Sequence, residues 1–225
     1  MDTPATKSDS QVLRADVERI VRDIIRARIG SPASNAPTLR VEASARHCHL
    51  CREDLDILFG KGYELTVFRD LYQPGNFAAN EMVTIIGPRS RVISNLRILG
   101  PLRKQSQVEL AFTDAIMLGI DVPIRLSGDI AGTPGCFLMG PKGMCELKEG
   151  VIRAAIHAHM SPAEAAYFGV KHKDCMKLRV GGAASIVFNR VQVRVDPSTR
   201  LNVHMDTDEA NACGLHLTND FELYK

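Results

Sequence analysis

Tryptophan is absent and aromatic residues make up only 5% of the 225-residue chain, so there is little from which to build stacking platforms for single-stranded nucleic acid. An excess of either charge is missing too. Against 26 Asp and Glu stand 28 Lys and Arg, a net charge of +2, which is too balanced for a protein that lives on a phosphate backbone. No run of about 18 apolar residues occurs, and this excludes a membrane-spanning helix. Met1–Ser10 is polar and holds no apolar stretch ahead of a small-residue cleavage site, so no secretory signal is expected. In that setting the six cysteines, at 48, 51, 136, 145, 175 and 213, read as reduced thiols. What is present is ordinary globular composition, 45% hydrophobic and 24% charged, in a chain long enough for one large or two small domains.

Residues 10–29 differ from everything after them. Leu13, Val17, Ile20, Val21, Ile24 and Ile25 recur at three- and four-residue steps, while Arg14, Glu18, Arg19, Arg22 and Arg26 fall mostly on the other side, the pattern of an amphipathic helix. Gly30 to Pro37 then reads as a helix stop and linker. The helix either packs on its own domain or is a tethered segment whose aliphatic stripe meets a partner, and the stripe suits protein better than lipid because it lacks Trp and Phe. From Leu39 onward the chain is a series of short β-rich runs. Strands are predicted at Val83–Ile86, Arg91–Leu99, Val108–Phe112, Ile186–Val195 and Leu201–Met205, and short helices at Leu55–Gly60 and Ser161–Phe168. Strands do not alternate with long helices, which argues against a doubly wound sheet.

The body repeats itself. His47-Cys48-His49-Leu50 returns 110 residues later as His157-Ala158-His159-Met160, and Phe59-Gly60 returns as Phe168-Gly169. Met82, Gly87, Val92 and Asn95 match Met176, Gly181, Ile186 and Asn189 at an offset of 94, and Asp114, Ala115 and Gly119 match Glu209, Ala210 and Gly214 at 95. The order is preserved, so the reading is an internal duplication: two similar β-rich halves, 38–150 and 151–225, preceded by the helix and linker of 1–37. The Gly- and Pro-rich stretch Asp121–Gly150 is expected to join the halves.

Each half opens with His-x-His. On a strand, residues i and i+2 face one way, so both imidazoles reach one ion while Cys48 and Ala158 face away. Under the offset of 95, Glu109 falls on His204, both between apolar neighbours, which supplies a third ligand in each copy. Two candidate sites follow, His47, His49 and Glu109, and His157, His159 and His204. Each has three protein ligands and an open position, the stoichiometry of a catalytic site for zinc or a neighbouring metal. A zinc finger built from His47, Cys48, His49 and Cys51 would crowd its ligands without the spacer that closes a structural site. Cys136, Cys145, Cys175 and Cys213 read as packing residues.

Differences between the copies mark the working side. Arg103 stands six residues before Glu109, and its counterpart is Ser198; a guanidinium there suits two-point binding of phosphate or carboxylate. Lys104 reads as a solvated turn charge. Ser127, in Leu126-Ser127-Gly128-Asp129, offers a hydroxyl and adjacent backbone donors to an oxyanion, and Gln73-Pro74-Gly75-Asn76 would suit a loop over a substrate.

Ser44-Ala45-Arg46-His47-Cys48-His49-Leu50, Gly100-Pro101-Leu102-Arg103-Lys104-Gln105 through Glu109, and His157-Ala158-His159-Met160-Ser161-Pro162 resemble the PduL-type phosphotransacylases, the phosphate propanoyltransferases of bacterial microcompartments. The likeness spans about residues 39–225. It implies two β-barrel domains capped by short helices, with two zinc ions per chain on the six residues named above and Arg103 on phosphate. It also implies exchange of a short acyl group between coenzyme A and phosphate, with Arg103 as the catalytic residue. Residues 10–37 look like the encapsulation peptide and linker of members that sit in a microcompartment within the bacterial cytoplasm, partnered with shell or lumen proteins and self-associating. One position departs from the family: Ile156 stands where a basic residue commonly precedes the second His-x-His, whereas the first motif keeps Arg46. A dinuclear hydrolase of a thioester or phosphate ester and a non-catalytic metal-bound scaffold of a protein shell remain as other readings, and Cys48 and Cys51 are the candidates for a covalent route. A chain started near Leu39 is expected to keep phosphate acyltransferase activity and lose co-assembly or self-association, as assays and size-exclusion chromatography of both forms would show. Unfolding of the body on that deletion would overturn the tag reading.

Overall fold

β-Branched and apolar residues at alternate positions build the body from strands, and the few helices are short. The computed structural model describes residues 36–225 together with Val17 and Val21, which are helical and about half exposed (48% and 47%). The rest of the segment read as an amphipathic helix lies outside the described residues. In chain order the strands and helices of the first half are β1 (Val41–Ser44), β2 (His47–His49), α1 (Arg52–Phe59), β3 (Val67–Asp70), β4 (Phe77–Ile86), β5 (Val92–Gly100), β6 (Gln107–Glu109), α2 (Phe112–Leu118), β7 (Ile124–Arg125), β8 (Cys136–Met139) and β9 (Met144–Leu147). Then follow β10 (Val151–Ala154), β11 (His157–Met160), α3 (Pro162–Phe168), β12 (Cys175–Val180), β13 (Ile186–Val195), β14 (Asn202–Asp206), α4 (Thr207–Ala212) and β15 (Phe221–Tyr224). The α3 helix starts as its residues dictate: Ser161 and Glu164 form a capping box, Pro162 fills the first turn, and Gly169 ends it in the left-handed conformation (φ 63°).

The strands form two curled half-barrel sheets. One has the order β1-β14-β11-β13-β12-β15; the other runs β7-β10-β6-β2-β5-β4-β8-β9, with β3 on β4. Each sheet curls over its own core. Leu50, Leu55, Leu58, Ile85, Leu96 and Ile98 fill the first, and Met160, Met176, Leu178, Val191, Val193 and Val203 fill the second. Both cores lie within one compact unit, Thr38–Lys225.

The structure differs from the sequence reading at three places. The strand expected at Val108–Phe112 stops at Glu109, and the chain turns into α2 at Phe112. The stretch Asp121–Gly150 is more than a joint: β8 and β9 form a hairpin on β4, with alternate residues Cys136, Leu138, Cys145 and Leu147 buried. Its turn lies against α1 so closely that a Cβ on Gly140 would stand 2.5 Å from the Leu58 carbonyl oxygen, so glycine is required there. Cys175, expected to pack, is exposed at the start of β12.

The first strand of each half crosses to the other sheet. β1 runs parallel to β14, with Val41 opposite Val203 and Glu42 opposite His204. β10 runs parallel to β6 in the same way, with Val151 opposite Val108 and Ile152 opposite Glu109. Polar contacts fasten the crossing. Arg153 on β10 donates to the carboxylates of Asp206 and Glu209, the latter at 2.7 Å, and lies over the Phe112 ring at 4.3 Å. Thr113 donates twice to Asp208 (3.0 and 2.7 Å), and the buried Gln73 amide exchanges two hydrogen bonds with the backbone of Arg200 (2.9 and 3.1 Å). Gln73 therefore pins the first half's extra segment to the second half. The Arg153 side chain is only 12% exposed, so removing it strands two carboxylates. Arg153→Met is expected to cost about 3 kcal/mol of unfolding free energy, measured by urea denaturation; an unchanged midpoint would show the cluster to be dispensable.

Candidate metal centres

Strand alternation and register assemble both triads. On β2 the rings of His47 and His49 share a face while Cys48, fully buried, enters the first core; on β11 His157 and His159 share a face while Ala158 enters the second. β6 lies antiparallel to β2 with Glu109 opposite His47, and β14 lies antiparallel to β11 with His204 opposite His157. The ligand atoms of each triad lie within 4.8 Å of one another. Nε2 of His47 is 3.6 Å from one Glu109 oxygen, Nε2 of His49 is 3.9 Å from the other, and the Nε2 atoms of His157 and His159 are 3.2 Å apart. Donors held at about 2.0–2.1 Å in tetrahedral directions stand roughly 3.4 Å apart, so these separations fit a small divalent ion.

The outer ring nitrogens set the orientation. Nδ1 of His47 meets the Ala45 carbonyl at 2.8 Å, Nδ1 of His157 meets the Ala155 carbonyl at 2.8 Å, and Nδ1 of His49 meets the Leu99 carbonyl at 3.1 Å. An Nδ1–H donated outward leaves the Nε2 lone pair facing the centre. Burial, with the neighbouring imidazoles, holds His49 down to about 3, His157 to about 4 and His159 to about 2, so these rings are neutral and able to ligate near neutral pH. His47 moves the other way: burial disfavours its charged form, but the Glu109 carboxylate outweighs burial and raises it. Glu109 is lowered well below the usual carboxylate range, since His47 and His49 overcome the cost of its burial.

Around the first triad, Gln107 donates to Glu109 (2.6 Å) and to the Ser127 hydroxyl (3.0 Å), and its carbonyl oxygen accepts from Gly128 N–H (2.7 Å). Arg103 donates to the same Ser127 hydroxyl at 2.9 Å. Arg103 and Ser127 therefore converge beside Glu109. Lys104 is exposed to solvent. Arg46, ahead of the first motif, is taken by Asp114 at 2.9 Å, and Ile156, ahead of the second, is buried in the second core. Around the second triad, the Asn202 amide nitrogen lies 2.7 Å from Glu42 and 2.8 Å from Nε2 of His204. The Glu109 charge works to raise both His157 and His159, against the burial that lowers them.

Arg194 escaped the sequence reading. On β13 it lies opposite His159, and its charge is felt at His157, His159 and Arg103. The signal was present, because Val193-Arg194-Val195 alternates about the fully buried Val193 and so turns the arginine to the histidine face. The thiols are placed away from the chemistry. Cys48 is sealed in the core with its ionisation pushed up by burial, and the Cys51 thiol donates to Asp54 at 3.2 Å and is raised as well, mainly by burial. No described helix is long and apolar enough to cross a membrane.

The comparisons with known proteins point one way. A family model described as phosphate propanoyltransferase matches residues 40–216. The chain is similar to a phosphate propanoyltransferase of Planctopirus limnophila, 49% identical over 225 residues, covering 95% of this chain and 92% of the relative. Phosphate propanoyltransferases of Thermotoga maritima (50% over 181 residues, 80% and 86% covered) and Lachnoclostridium phytofermentans (52% over 182 residues, 79% and 85% covered) are comparably similar.

Acid should expose the burial of the imidazoles. His157 ionises near 4 when folded against an ordinary 6.5, and His159 lower still, so the unfolded chain takes up protons first as pH falls. Metal-free protein is expected to lose thermal stability steadily as pH drops from about 6.5 through 4, and His159→Gln should flatten that slope in melting curves recorded with chelator. An equal slope in the variant would show that His159 is already hydrated.

Proposed function

The chain belongs to the phosphate propanoyltransferase family, and from that premise we propose that it exchanges a short acyl group between coenzyme A and inorganic phosphate at a dinuclear centre. It is an enzyme, an acyltransferase. The observation that carries the finer reading is the pair of triads in matching register, with Arg103 joined through Ser127 and Gln107 to the first. His47, His49 and Glu109 would hold one ion and His157, His159 and His204 the other. Nitrogen and oxygen donors in sets of three suit zinc with a position left open. When bound, such ions supply Lewis acidity at an acyl carbonyl and an acceptor for a departing thiolate.

The chain's own groups supply the rest. Arg103 keeps further N–H groups beyond the one given to Ser127, and these hold phosphate oxygens and offset their charge. Ser127, tied to Arg103 and Gln107, fixes where that guanidinium points, and Arg194 adds a second cation from the other sheet. A phosphate oxygen so held attacks the thioester carbonyl. A C–O bond forms, the C–S bond breaks, and the electron pair leaves on the coenzyme A sulfur. Holding both reactants in place contributes up to about 7–11 kcal/mol to lowering the barrier. Cys48 is sealed and Cys51 is engaged by Asp54, so neither thiol is presented as an acyl acceptor.

The matched registers and exchanged first strands support an internal duplication, with two barrel halves intertwined through β1 and β10. Val41 and Ala45 recur as Val151 and Ala155 at the same offset of 110 as the histidines. Residues 1–37, whose spacing predicts an amphipathic helix and a linker, would serve as an encapsulation segment, making the enzyme a self-associating cargo of a bacterial microcompartment.

With full-length protein and propanoyl-CoA, release of free thiol should require phosphate; phosphate-independent release would make the chain a hydrolase. Arg103→Ala should lower turnover roughly 100-fold with metal content unchanged, whereas loss of metal in that variant would make Arg103 structural. Cys48→Ser and Cys51→Ser should keep most activity. Abolition at Cys48 in a folded variant would favour a covalent acyl-enzyme.

A further inference from the structure

The two centres are built on one plan but differ in where their carboxylate stands. In the first sheet the middle strand β6 carries Glu109, and the strand outside it, β10, places Ile152 opposite. In the second sheet the middle strand β14 carries His204, and the strand outside it, β1, places Glu42 opposite, again in a parallel pair. Ile152 and Glu42 are also 110 residues apart, the spacing of the leading histidines. Relative to the first centre, the carboxylate of the second has moved one strand outward.

The contacts of Glu42 point the same way. One oxygen accepts from Arg40 at 2.7 Å, on the exposed side. The other lies 3.8 Å from Nε2 of His204 and accepts from the Asn202 amide at 2.7 Å. Asn202 is completely buried, its amide nitrogen donates to Glu42 and stands 2.8 Å from Nε2 of His204, and its carbonyl oxygen has no partner among the described residues. A wholly buried amide is costly unless its hydrogen bonds matter, and this one holds the Glu42 carboxylate beside the His204 ring. Gln107 has the corresponding place in the first centre, two residues before the third ligand and bonded to it. A three-histidine set carries no negative charge of its own, whereas the first centre contains Glu109.

We propose that Glu42 is a positioning residue of the second centre: through Asn202 and directly across the β1–β14 pair, its carboxylate fixes the His204 imidazole and balances the charge of an ion bound by His157, His159 and His204. Because β1 comes from the first half of the chain, the first half contributes to the second half's centre. The inference rests on the metal reading of the triads.

The test titrates metal-free, full-length protein with cobalt(II) and then zinc(II) against a competing chelator, following the visible absorption of cobalt. Wild type should bind two ions. Glu42→Gln should weaken one site roughly 10–100-fold, shift the cobalt spectrum of that site alone, and leave the other site and the metal-free melting temperature unchanged. Glu42→Asp should recover part of the loss, and His204→Ala should abolish the same site and so identify it. A Glu42→Gln isotherm equal to that of a two-ion wild type would overturn the inference and leave the metal reading standing. Joint weakening of both sites with a lower metal-free melting temperature would overturn it in favour of a structural role. A wild type that takes up no second ion would instead overturn the metal reading beneath it.

Discussion

Everything at the candidate site depends on strand register. His47 stands opposite Glu109, and His157 opposite His204, because β2 with β6 and β11 with β14 pair antiparallel at those positions. Side chains alternate with period two, so a slip of one residue would turn each histidine pair into a core and bring Cys48 or Ala158 to the surface of the site. The cores prevent that slip, since Cys48, Val108, Ala158 and Val203 are fully buried on the opposite faces. Packing on one side of each strand thus fixes the spacing of the candidate ligands on the other.

The exchange of β1 and β10 makes the two centres parts of one object. Each sheet is completed by a strand from the other half, and the crossing is fastened by Arg153 against Asp206 and Glu209, by Thr113 against Asp208, and by Gln73 against the Arg200 backbone. A centre whose walls come from both halves has little freedom for them to drift apart, which suits chemistry that must hold two reactants at a set separation.

The two triads stand in different surroundings. The first side has Glu109, Arg103, Gln107 and Ser127 in one hydrogen-bonded group. The second has three imidazoles, Arg194 on the neighbouring strand, and Glu42 with Asn202 behind His204. One anion stands among the candidate ligands of the first side, and each side contributes a cation, Arg103 and Arg194.

The grouping of the six candidate ligands into two triads was legible from spacing, because His-x-His on a strand and an ordered repeat are local patterns, and strand alternation converts them directly into shared faces. The mainly β character was legible for the same reason. What spacing could not show was which strand lies beside which. The exchange of β1 and β10, the docking of the β8–β9 hairpin on β4, the hydrogen bonds of Gln73 to Arg200, and the approach of Arg194 and Glu42 to the histidines all arise from contacts between distant segments. Sequence by itself determined the donor types and the face they share. Only the tertiary structure decided their neighbours, because register across strands is chosen by burial of whole cores and not by the residues flanking any one motif.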